Sequence, residues 1–353
     1  MTRAPSRPFR RALAALPLLA PLLSAAPAWA EEPRFGLPID CRVGEVCFVQ
    51  NYVDGDPGPG WRDHACGRLS YDGHDGTDFR LPDYRMMDKG VPVLAAAAGT
   101  VLRVRDGMED VNANVVGRDK VMNVGAGNAV IIDHGDGWQT SYLHMRRGSV
   151  AVAPGQRVEA GQTLGLVGLS GLTEFPHVHF GVRHNGAVVD PFVGPPGGPP
   201  GGSPGGDGPA PACGRPGRPL WNAAAARALA YKATAGLGAG FAVRIPEAEP
   251  ARRGEYDADG LAPDAPLLVM WSDIMGAKAG DTQRVRIEAA DGRVLFEHTA
   301  ALTADKAAWF AYQGLKRPAA GWPKGPYRGT VTLLRNGEAV VTMERSIAAP
   351  GRG

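Results

Sequence analysis

Between residues 91 and 192 apolar side chains come in short runs or alternate with polar ones, and no long stretch shows helical spacing. Alternation puts successive side chains on opposite faces of an extended chain. The pattern predicts strands at 91–95, 100–104, 129–133, 139–144, 162–167, 177–183 and 187–189, separated by Gly and Asp turns. His184-Asn185-Gly186 reads as a hairpin turn, because Asn-Gly supplies the positive φ that such turns need. A polar, weakly periodic insertion at 106–125 interrupts the series. After Trp221 comes a short Ala-rich helical turn. A second series follows at 267–271, 284–289, 293–299, 307–313, 328–335 and 339–347, with hairpin turns at Asp291-Gly292 and Asn336-Gly337. The whole reads as all-β: an antiparallel β-sandwich followed by a second, immunoglobulin-like β-sandwich.

Breaks in this pattern divide the chain. Residues 31–70 hold too few apolar residues for a core of their own and read as an irregular lead-in, tied by cystine and wrapped on the 71–193 domain. Their Asp54-to-Gly60 loop resembles a calcium loop only loosely, and turn chemistry explains it better. Residues 194–209 are nearly all Gly and Pro, which cannot pack, so 194–218 is a linker to a domain at 219–350.

Composition refines this organisation. The net charge of +2 misleads, because residues 1–30 hold Arg3, Arg7, Arg10 and Arg11 and no acid. Taking those four from 38 basic residues leaves 34 against 36 acidic. No basic run or aromatic-interleaved patch remains, which argues against a nucleic-acid partner. Residues 1–30 read as a cleavable export signal: a positive start, a short apolar stretch, then Ala28-Trp29-Ala30. The stretch is shorter than the roughly 20 residues of a spanning helix, and no later stretch is a candidate. The expected location is the periplasm, with secretion as the alternative. Four cysteines (Cys41, Cys47, Cys66 and Cys213) in an exported chain imply disulfides in any of three pairings.

The chemistry gathers in three short stretches. Tyr71-Asp-Gly-His-Asp-Gly-Thr-Asp78 carries His74 and Asp78, Ser141-Tyr-Leu-His144 carries a lone His, and Pro176-His-Val-His179 carries a pair. On a strand His177 and His179 share a face about 7 Å apart, too far for both to be ideal ligands of one ion with bonds of about 2.0–2.1 Å. That spacing suits one ligand with a catalytic partner beside it. Two His, one Asp and a water make the open tetrahedral site of a catalytic zinc.

These motifs, with the Gly-rich turns at Gly127-Asn128, His134 to Gly137 and Gly161-Gln162, resemble the lysostaphin/LytM-type zinc metallopeptidases over residues 71–192. The resemblance implies that His74, Asp78 and His179 bind Zn2+, and that His144 and His177 are an unliganded pair handling protons and steadying the transition state. It also implies an open groove across one sheet. One departure stands out: the family commonly has Ser and Gly before Pro-His-x-His, whereas Thr173-Glu174-Phe175 precede Pro176 here. Without a His-Glu-x-x-His motif, an imidazole is the natural base. His177 is the first choice, and His144 either binds the oxyanion or shares the role. His64, His134, His184 and His298 read as structural.

The implied function is an exported zinc metallo-endopeptidase hydrolysing the peptide stems or cross-links of peptidoglycan. Residues 106–125 are then either a groove wall that helps choose substrate or a surface excursion. The alternative is a non-catalytic, cell-wall-binding regulator that activates amidases, and the complete set of five site residues counts against it.

Overall fold

Val178, Phe180 and Val182 are fully buried along one face of a strand, while His177 and His179 lie on the other. This strand, His177–His184, is the axis of the first half of the molecule. The computed structural model describes residues 1–2, 32–195, 217–257 and 260–348. The expected export signal, most of the Gly/Pro-rich linker and Cys213 lie outside the described residues.

The first half is built on strands β1 (Phe48–Asn51), β2 (Thr77–Arg80), β3 (Pro92–Leu94), β4 (Gly99–Arg105), β5 (Asn128–Gly135), β6 (Trp138–Met145), β7 (Arg157–Val158), β8 (Thr163–Leu166), β9 (His177–His184) and β10 (Ala187–Val188). An eight-stranded antiparallel sheet runs β1-β2-β9-β6-β5-β4-β7, with β10 beside β9, and β3 and β8 form a separate pair. Direct pairing of Asp78 with His179 and of Arg80 with His177 puts all four side chains on one face. The opposite face packs Phe79, Val178, Phe180, Val130 and Ile132 into the main apolar core.

The lead-in joins this core instead of only covering it. Phe35, Ile39, Phe48 and Tyr52 are buried there, and β1 extends the sheet. Cys41 bonds Cys47, and Cys66 is also disulfide-bonded. Asp54 accepts backbone N–H bonds from Asp56, Arg62 and Gly73, the turn chemistry expected of this loop. The 106–125 insertion holds two four-residue helices, Ala113–Val116 and Arg118–Val121, too short to leave a periodic signature in sequence. Asn112 caps the first of them.

Among the described residues the second half has seven strands: β11 (Ala235–Ala242), β12 (Leu267–Ala277), β13 (Thr282–Glu288), β14 (Val294–Ala301), β15 (Lys306–Lys316), β16 (Tyr327–Arg335) and β17 (Glu338–Ile347). They form antiparallel sheets β11-β12-β15 and β14-β13-β16-β17. Phe241, Met270, Ile287 and Val331 fill the space between them. Strand β11, with the sequence AGLGAGFA, lies outside the strand series that the apolar pattern predicts, because glycines instead of polar residues alternate with Leu237 and Phe241. The two halves share apolar packing, because Leu237 and Met275 belong to the same buried cluster as Phe79 and Phe180. No helix among the described residues is long and apolar enough to cross a membrane.

Candidate metal centre

His74 ends a turn that enters β2, and its backbone N–H is held by the Tyr71 carbonyl. Asp78 lies inside β2, and His179 faces it across the β2–β9 ladder. Their donor atoms form a small triangle. His74 Nε2 is 3.2 Å from Asp78 Oδ1 and 3.2 Å from His179 Nδ1, and the last two atoms are 3.1 Å apart. Ligands about 2.0–2.1 Å from one ion at tetrahedral angles stand about 3.3 Å apart, so the triangle fits a single divalent cation with one position open.

Each donor is aimed by its other end. His74 Nδ1 lies 2.7 Å from the Tyr52 carbonyl, so it donates there and leaves Nε2 as the free lone pair. His179 Nε2 lies 3.3 Å from Asp75 Oδ1, which turns Nδ1 inward. Asn51 donates to Asp78 Oδ2 at 2.9 Å. Such partners fix the tautomer and orientation of metal-binding groups. Gly76 is needed for this fit, since a Cβ there would lie 2.3 Å from His179 Nε2.

His144 and His177 stand beside the triangle with ring centroids 4.6 Å apart. His144 takes a left-handed backbone conformation (φ 62°), rare for a residue with a side chain. Its N–H donates to the Ala126 carbonyl and its Nδ1 lies 2.8 Å from the Ser170 carbonyl. His177 Nδ1 is 2.9 Å from the Phe175 carbonyl and 3.0 Å from Thr173 Oγ1. In both rings a carbonyl holds the Nδ1 proton, which leaves Nε2 as the acceptor. Residues 173–175, where the sequence departs from the family it resembles, are thus the ones that orient His177.

Electrostatics separates the five groups. Burial alone would raise the Asp78 pKa, but the imidazoles of His74, His177 and His179 hold it well below the usual carboxylate range. Burial pushes His144 far down, and the neighbouring His177 and His179 add to that. His177 is lowered as well, mainly by burial, against the opposing pull of Asp78. His179 moves the other way, to about 9, because Asp75 and Asp78 outweigh its burial. A metal at this nitrogen would take the place of that proton.

All five predicted residues therefore meet in one place, and the other four histidines do not. His64 stacks on Phe192 and His184 on Trp138. His134 bonds the Ala98 carbonyl and Thr140, and His298 lies near Phe296. Sequence reasoning missed Asn51, Tyr52, Asp75 and Thr173. Asp75, next to His74, and Thr173, in the stretch just before Pro176, were within reach of a local motif, whereas Asn51 and Tyr52 were not.

Over this centre lies a cavity of about 660 Å³, lined on one side by Asp78, His144 and His177 and on the other by β12 and β15 residues such as Ala277 and Lys306. The insertion is part of the wall: Arg118 pairs with Glu174, and Asn112 donates to both the Glu174 carbonyl and Glu249. Arg118 and Glu174 line the cavity.

Residues 72–191 match the sequence profile of Peptidase family M23. This segment is an M23 peptidase domain. It is 34% identical over 107 residues to peptidoglycan DD-endopeptidase ShyA of Vibrio cholerae, a match covering 30% of this chain and 19% of that protein. The DD-carboxypeptidase/endopeptidase Mpg of Neisseria meningitidis is 33% identical over 119 residues, covering 33% of this chain and 22% of the relative. The chain thus spans about a fifth of the length of the curated relatives it matches. Among solved structures, a mutant catalytic domain of the prophage-encoded M23 protein EnpA from Enterococcus faecalis is 28% identical. That match covers 45% of this chain and 93% of that one, at a TM-score of 0.29. The M23 segment holds His74, Asp78, His144, His177 and His179, and leaves Asn51, Tyr52 and the second sandwich outside it.

Proposed function

We propose that the chain is an exported zinc metallo-endopeptidase that hydrolyses peptide bonds in peptidoglycan stems or cross-links. The observation that carries this reading is the triangle of three donor atoms 3.1–3.2 Å apart, beside two imidazoles whose Nε2 atoms are free to accept a proton. His74, Asp78 and His179 are the ligands. Zinc, when bound, supplies Lewis acidity, making water a nucleophile near neutral pH and polarising a carbonyl.

The protein's own residues do the rest. His177 is neutral at working pH and accepts the proton of the attacking water at Nε2, then returns it to the leaving amine. His144 presents its Nε2 to the same space, and Ser170 and Ala126 hold its ring and backbone still. Asn51 and Asp75 keep Asp78 and His179 turned toward the ion. The similarity to the peptidoglycan DD-endopeptidase of V. cholerae supports peptidoglycan as the substrate class.

Purified protein should release new amines from peptidoglycan sacculi, and a chelator should stop it. His177→Ala should lower kcat by about 10²–10⁴-fold with zinc content unchanged, the range expected for loss of a general base. Sacculi left intact by zinc-loaded protein, together with a rise in amidase activity on mixing, would replace the peptidase reading with that of a regulator.

A further inference from the structure

Arg80 is one of the largest fully buried side chains in the protein, and it lies two residues beyond Asp78 on the same face of β2. No carboxylate is its own. Its Nη1 donates to the Gln50 side-chain oxygen, and its guanidinium lies 4.4 Å over the Phe175 ring. The nearest carboxylate, Asp273 on β12, is 3.5 Å from Nη2. That carboxylate is already taken in two-pronged fashion by Arg252, at 2.6 and 3.1 Å. Arg80 Nε has no hydrogen-bond partner among the described residues.

The surrounding acids do not make up the difference. Glu249 is paired with Arg253, and Glu174 with Arg118. Two largely buried guanidiniums therefore share one buried carboxylate, and both line the cavity above the proposed metal centre. A buried cation without full compensation is costly, and an anion entering the cavity would relieve that cost. A guanidinium also matches a carboxylate in shape, offering parallel N–H donors.

The geometry points to a carboxylate subsite formed by Arg80 and Arg252, which selects peptides bearing a free carboxylate one or two residues from the scissile bond. This rests on the peptidase reading above and names the substrate class of the same groove. The spacing follows from the strand: two residues of β2 separate Asp78 from Arg80 by about 7 Å, roughly two residues of an extended peptide. Because Asp273 belongs to β12, the second sandwich sets the charge of this subsite and so takes part in specificity.

The test compares one ligand in two forms. Stem peptides prepared from sacculi, as free acids and after carbodiimide amidation of their carboxylates, are titrated into full-length, zinc-loaded His177→Ala protein by calorimetry. The free acids should bind at least tenfold more tightly. Arg252→Gln, added to the same protein, hands Asp273 to Arg80 and should cut that preference at least fivefold, with the thermal unfolding midpoint recorded as a check on folding. Equal affinity for acid and amide overturns the subsite, as does a preference that survives Arg252→Gln in a folded protein. The readout is binding, so a failure of wild-type protein to cleave sacculi would count against the peptidase reading and leave this contrast intact.

Discussion

Gly76 shows how little room the centre leaves. A Cβ at this position would meet His179 Nε2 at 2.3 Å and the Phe180 carbonyl at 2.8 Å, and Asp75 on its other side holds that same nitrogen. Gly76→Ala must therefore push the imbalance onto the imidazole, turning Nδ1 away from His74 and Asp78. Loss of an orienting partner typically weakens metal affinity about 10–100-fold, and a direct clash should do at least as much. Metal analysis after dialysis should find the variant largely zinc-free, and full zinc occupancy would contradict this. Thr173 should matter less. Its hydroxyl shares His177 Nδ1 with the Phe175 carbonyl, so Thr173→Val leaves one acceptor in place and should reduce kcat less than tenfold in the sacculus assay. The five central residues were legible because the chain has only eight His, and because four of them and Asp78 fall in short motifs. Asn51 and Tyr52 were not, since they reach the site from the end of β1 and the residue after it, 27 residues from Asp78 and 22 from His74.

Strands with one dry face announce themselves, and β5, β6 and β9 fall within two residues of where alternation placed them. Strand β11 fails that rule for a physical reason. Its glycines are needed for space: a Cβ on Gly240 would lie 2.6 Å from the indole of Trp271 on the paired strand β12. The bulk that would have marked the strand is thus supplied by its neighbour. Gly240→Val should overpack this contact, costing about 1–3 kcal/mol and lowering Tm by several degrees, and calorimetry showing no change would refute the argument. Strand β2 is only four residues long and lies outside the strand series that the pattern predicts, yet it carries Asp78 and Arg80 on one face. Its pairing with β1 on one side and β9 on the other, both distant in sequence, makes it a strand.

For the molecule as a whole, the shared core decides behaviour. Leu220, Trp221 and Leu229, just after the Gly/Pro-rich stretch, are buried with Phe79 and Phe180, and Met275 of β12 joins them. The Arg80, Asp273 and Arg252 cluster spans the same boundary. Two halves joined this way should unfold together, so calorimetry of the full chain should show one transition, and zinc should raise it as a unit by binding only the folded state. Two transitions, with zinc moving only one, would mean that the halves fold separately.

The order of residues alone determined the all-β character, the metal-binding types and their spacing, and hence the class of chemistry proposed, because periodicity and motif are local properties that each segment carries by itself. Tertiary structure decided which tautomers the imidazoles hold, that residues 173–175 support His177, and that the second sandwich walls the groove. Those outcomes depend on hydrogen bonds and charges contributed by segments tens to nearly two hundred residues apart. Such pairings exist only once the chain has closed on itself, and Arg80, buried with a borrowed counter-ion, is the plainest case.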